Sequence, residues 1–114
     1  MNELRNDLTD FEKNFIMPMI ADILRFRTGI RNAITNNGIR KILFGKNVKT
    51  SDILVRRMIH EIRINDVVKR LIASQKGYYV SKDYEETVTY ITSLQGRINE
   101  MSSVINALER QLYK

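Results

Sequence analysis

Arg56, Arg57 and His60 lie within a stretch where Val55, Met58, Ile59 and Ile62 recur at three- and four-residue steps. Counted at about 100° per residue from Val55, Arg56 falls near 100°, His60 near 140°, Ile53 near 160° and Arg57 near 200°. The spacing predicts a helix over residues 52–64 with a basic ridge opposite its apolar stripe. A guanidinium is a planar fork of donors that pairs with phosphate, carboxylate or the edge of guanine, and an imidazole beside it can donate or accept. Lys49, Thr50 and Ser51 precede this helix, where free backbone amides favour an anion. Arg40 and Lys41 occupy the outer side of a shorter predicted helix over residues 36–44, and Gln75 and Lys76 lie at the tip of a predicted hairpin.

These cations belong to one region. Of 114 residues, 19 are Lys or Arg and 13 are Asp or Glu, for a net charge of +6. By segment the balance is −3 over residues 1–24, +11 over residues 25–82 and −2 over residues 83–114. A basic block between acidic segments is the footprint of a polyanion-binding module; the plainer reading is a solvated basic face. Cysteine is absent, which excludes disulfides, thiolate metal sites and cysteine nucleophiles. The single histidine has no second histidine or carboxylate cluster beside it, so no metal and no cofactor is expected. No phosphate-binding loop, dinucleotide fingerprint or nucleophile elbow is present, and the acidic pairs Glu85/Glu86 and Asp10/Glu12 fall on amphipathic helices, so the chain reads as non-catalytic and without a small-molecule substrate. Neither a membrane span nor a signal-peptide layout is found, and the expected location is the cytoplasm.

The length fits one domain, read as an N-terminal helix (8–27), a central region (28–82) and a long C-terminal helix (83–114). The first six residues read as frayed. Thr9-Asp10-Phe11-Glu12 has the form of a capping box, and Phe11, Phe15, Ile16, Met19, Ile20, Ile23 and Leu24 then form an apolar face expected to be core, with Pro18 bending or dividing the helix. Asn32-Ala33-Ile34 is long enough for a loop or a single strand bridge. Thr35 caps the helix over 36–44, which buries Ile39, Ile42 and Leu43 and is expected to end at Gly45. Ser51 or Asp52 caps the helix over 52–64. Leu71-Ile72-Ala73-Ser74 and Tyr78-Tyr79-Val80 read as strands joined by Gln75-Lys76-Gly77, with one tyrosine facing the core and the other solvent. Asp83 with Glu86 opens the last helix, in which Ile91, Leu94, Ile98, Met101, Ile105, Leu108 and Leu112 follow alternating three- and four-residue steps. That is a heptad seam, expected to mediate a homodimer; an intramolecular helix pair is the alternative. Gly96 lies on its outer side.

The fold class is therefore mainly α with a small β-hairpin, in the order of a winged helix-turn-helix plus a long C-terminal dimerisation helix. In that arrangement Arg56, Arg57 and His60 read duplex DNA in the major groove, Lys49, Thr50 and Ser51 touch phosphates, Gln75 and Lys76 form the wing tip, and Arg40 and Lys41 join the DNA-binding residues. Each has a bland counterpart: a solvated helix face for the arginines, a packing or surface role for His60, a mere turn for Lys76-Gly77.

The runs Val55-Arg56-Arg57-Met58-Ile59-His60-Glu61-Ile62-Arg63-Ile64-Asn65 and Leu71-Ile72-Ala73-Ser74-Gln75-Lys76-Gly77-Tyr78-Tyr79-Val80, with Tyr90-Ile91-Thr92-Ser93-Leu94 and Arg97, resemble small phage and prophage winged-helix proteins over about residues 8–112. The resemblance implies DNA binding in replication or transcription control. The competing expectation is a protein-interaction or assembly module on the same scaffold.

Overall fold

The structure, a computed structural model, describes residues 7–113; the first six residues, expected to be frayed, and Lys114 lie outside the described residues. The described chain is mainly helical with one two-stranded antiparallel hairpin, and it divides into two compact units, one ending at Lys82 and one beginning at Asp83. No helix among the described residues is long and apolar enough to cross a membrane.

The capping box forms as the sequence requires. Glu12 N–H donates to Thr9 Oγ1 at 3.1 Å, and Thr9 N–H donates to Glu12 Oε1 at 2.8 Å. Pro18 does not divide the helix. A wide turn over Glu12–Ile16, in which Met17 N–H reaches back five residues to Glu12 O, leads straight into α1 (Met17–Arg25) with the proline in its first turn. The wide turn relieves the clash of the proline ring with the preceding carbonyls. The same turn corrects the expected core. Because it advances less per residue than an α-helix, positions four apart stay in line, and Leu8, Glu12, Ile16, Ile20 and Leu24 all face inward. Phe11 and Phe15 are turned out, 58% and 60% exposed, with their rings stacked at 5.4 Å.

After α1 the chain runs past Val80, with Val80 N–H donating to Arg27 O at 2.7 Å and Gly29 N–H to Val80 O at 2.9 Å. Ile34 then makes a single antiparallel bridge with Tyr78. Thr35 caps α2 (Asn36–Gly45), accepting from Gly38 N–H at 3.0 Å. Ile39 and Leu43 are fully buried. The helix ends at Gly45 as expected, and the left-handed position that closes it falls two residues on, at Asn47 with φ 65°. Val48 N–H returns to Leu43 O and Asn47 N–H to Phe44 O, a Schellman closure. Asparagine tolerates this conformation but glycine does so without steric cost, so Asn47→Gly is expected to raise stability by roughly 0.5–1 kcal/mol in urea denaturation.

Ser51, not Asp52, caps α3 (Asp52–Ile64), accepting from Leu54 N–H at 3.2 Å. Val55, Met58, Ile59 and Ile62 are buried in the common core with residues of α1, α2 and the hairpin, as the spacing predicts. Asp66 at φ 61° closes α3 in the manner of Asn47, with Val67 N–H donating to Ile62 O at 3.0 Å. β1 (Leu71–Ser74) and β2 (Gly77–Val80) pair as Leu71 with Val80, Ile72 with Tyr79, Ala73 with Tyr78 and Ser74 with Gly77. The turn is thus Gln75-Lys76 alone. Gly77, expected at the tip, is a buried strand residue at φ 118° whose backbone lies against Ile34. Neither tyrosine is the exposed member expected from alternation: Tyr79 is buried and Tyr78 is half-buried against the core.

The second unit is α4 (Tyr84–Leu112), capped by Asp83, which accepts from Glu86 N–H at 2.8 Å. Along the seam Ile91 is 47% exposed and Leu112 76%, and α4 buries none of its residues fully. A Cβ at Gly96 would meet nothing within 4 Å. Gly96→Ala is therefore expected to stabilise α4 by about 1 kcal/mol, seen as a higher melting midpoint of the far-ultraviolet helical signal.

Candidate nucleic-acid interface

With its apolar stripe buried, α3 turns Ile53, Arg56 and His60 outward as exposed residues, flanked by half-buried Arg57 and Glu61. These five side chains line a shallow depression of about 350 Å³. The ridge predicted from helical phase is present in space, and it holds donors of both guanidinium and imidazole type beside an apolar contact from Ile53.

A second group forms at the junction of α2 and α3. Asn37, Arg40, Lys41, Phe44, Val48, Lys49 and Thr50 line an open cleft of about 380 Å³. Four of the predicted DNA-contacting residues, Arg40, Lys41, Lys49 and Thr50, are brought together here although up to ten positions separate them. Arg40 has a structural duty in this cleft. Its Nη1 donates to Asp52 Oδ1 at 3.1 Å and its Nη2 to Thr50 O at 3.1 Å, which ties α2 to the first turn of α3. The ion pair is about half exposed, so its own contribution is modest; its geometric effect is to hold the α2–α3 angle. Ser51 serves as the α3 cap.

Gln75 and Lys76 are exposed on the hairpin turn. The turn is braced from beneath: Ser74 Oγ donates to Gly77 O at 2.9 Å and accepts from Lys76 N–H at 3.2 Å. The hairpin itself is anchored by the Ile34–Tyr78 bridge and by the Arg27–Val80 hydrogen bond, so the Lys76 side chain is presented from a fixed support.

Asn37 and Phe44 line the cleft without having been singled out. The signal was available. Counted at about 100° per residue from Ile39, Arg40 lies near 100°, Phe44 near 140°, Asn37 near 160° and Lys41 near 200°. Phe44, 64% exposed, is thus a large aromatic on the polar face of α2, able to pack on a sugar or a base. Among the described residues no group of three or more His, Cys, Asp and Glu is placed to hold a metal ion. Compared with protein-family models, with curated proteins and with solved structures, the chain matches none.

Proposed function

We propose that the first unit is a winged helix-turn-helix module that binds duplex DNA, with α2 and α3 as the helix-turn-helix, α3 as the recognition helix and the β1–β2 hairpin as the wing. The protein acts without catalysis, as a homodimer joined through α4, in replication or transcription control of the phage and prophage kind implied by the resemblance. The observation that carries this reading is the outward ridge of Arg56, Arg57 and His60 on a helix whose start adjoins a cleft lined by Arg40, Lys41 and Lys49. Ridge and cleft supply the two kinds of contact a DNA reader needs, donors for base edges and cations for phosphates. Both lie in the segment of +11 charge.

Fluorescence anisotropy with a random-sequence duplex tests the reading. Binding is expected at low salt and is expected to fall steeply with added salt, because each neutralised phosphate releases counterion. No binding to any duplex at about 50 mM salt refutes it.

A specific observation favours the second reading, a protein-interaction module: Phe11, Phe15, Phe26 and Phe44 are each 58% exposed or more. Exposed aromatics are typical anchors of protein interfaces. Retention of an acidic protein partner together with absent nucleic-acid binding would favour it.

A further inference from the structure

We propose that α4 pairs with α4 of a second copy as a parallel, in-register, two-stranded coiled coil; this rests on the homodimer reading above and adds its orientation. The seven seam residues divide by shape. Ile91, Ile98, Ile105 and Leu112 fall at the first position of successive heptads and Leu94, Met101 and Leu108 at the fourth. Three of the four first-position residues are branched at Cβ and none of the fourth-position residues is. This is the segregation that two parallel strands select, because the two layers present their Cα–Cβ bonds to the partner differently. An antiparallel pair mixes first and fourth positions in every layer and gives the segregation no role.

The flanks accept an identical neighbour. In a parallel, in-register pair Arg97 stands opposite Ser102 of the second copy, Val104 opposite its Glu109 and Tyr90 opposite its Gln95, with no like charges facing. Glu85, Glu86, Glu100 and Arg110 fall at outer positions, and so does Gly96, around which space is open. The face is also large enough. Ile98, Met101, Ile105 and Leu108 are 54–59% exposed, and the paired seams with the flanking Val88, Tyr90 and Val104 cover on the order of 1,000–1,500 Å², about the lower bound of stable specific interfaces. In such a pair both first units are attached at the same end of the coil, since Lys82, the last residue of the first unit, is joined to α4 through Asp83 alone.

The absence of cysteine allows a direct test. Thr87→Cys and Leu112→Cys place one thiol at each end of the seam. The two proteins are mixed in a glutathione redox buffer and the disulfide-linked products are resolved by mass. Parallel pairing yields the two homodisulfides and little of the mixed species. A predominant mixed disulfide overturns the orientation and leaves the homodimer standing; no disulfide, with the unaltered protein sedimenting as a monomer at tens of micromolar, overturns both. DNA binding is read separately by anisotropy and can fail or succeed independently. Because either substitution can loosen the pair, a nitroxide on Glu85→Cys, exposed and off the seam, supplies a second measurement. The expected inter-label distance is about 20–30 Å, set by two helix diameters, whereas an antiparallel pair separates the labels by about 40 Å or more along the coil.

Discussion

Gly77→Ala is expected to lower the stability of the first unit by roughly 3–5 kcal/mol, measured by urea or thermal denaturation. A Cβ at this position would lie 2.4 Å from Ile34 O and 2.5 Å from its carbonyl carbon, both backbone atoms with no side-chain freedom to yield. At φ 118° the backbone is also in a region that residues with a Cβ rarely enter, at a cost of about 1–3 kcal/mol. Relief requires Ile34 and β2 to separate, which removes the Tyr78 N–H bond to Ile34 O at 2.8 Å and the Ile34 N–H bond to Tyr78 O at 3.0 Å. Against a typical total of about 5–15 kcal/mol, the loss leaves the unit marginal or unfolded. Gly45→Ala is the control. Gly45 is helical and a Cβ there meets nothing within 4 Å, so this substitution is expected to be neutral or slightly stabilising. Equal effects of the two would show that the Ile34 bridge does not anchor the hairpin.

The second large effect concerns binding. Arg56→Ala combined with Arg57→Ala is expected to weaken duplex binding by about 30-fold or more, since one good arginine contact to a base edge is worth about 1–3 kcal/mol. The salt dependence tells which atoms the arginines touch. If both neutralise phosphates, the slope of log affinity against log salt falls by about two; if both read bases, affinity drops with the slope little changed and sequence preference relaxes. Arg56 is exposed and Arg57 half-buried, so the melting temperature is measured alongside and is expected to move little. Unchanged affinity for every duplex would remove α3 from the interface. Lys76→Ala offers a graded comparison: a lone exposed lysine on the hairpin turn is expected to reduce affinity several-fold, uniformly across sequences.

Helix starts were legible in the sequence because their determinants are local. Thr9 with Glu12, Thr35, Ser51 and Asp83 each bond to an amide three residues on, a distance along the chain that sequence spacing encodes directly. Buried faces were legible for the same reason wherever the helix is regular: Val55, Met58, Ile59 and Ile62 are all in the core. Where the helix is irregular, the inference failed. One wide turn at Glu12–Ile16 shifts the phase of everything before it, exposing Phe11 and Phe15 and burying Glu12. The ends of α2 and α3 fall at Gly45 and Ile64 as the spacing predicts, but the residues that close them in the left-handed conformation, Asn47 and Asp66, were not legible in it.

The candidate site divides along the same line. The ridge of Arg56, Arg57 and His60 follows from helical phase alone. The cleft does not, because it depends on Arg40 reaching Asp52 and Thr50, twelve and ten residues away. Taken by itself, the sequence determined where helices begin, which faces of the regular helices turn inward and where positive charge accumulates, since all three are set by residues within a few positions of one another. Only the tertiary structure decided that Gly77 must lack a side chain and that Arg40 fastens the α2–α3 junction, since those depend on which distant backbone and side-chain atoms the packed core brings within contact.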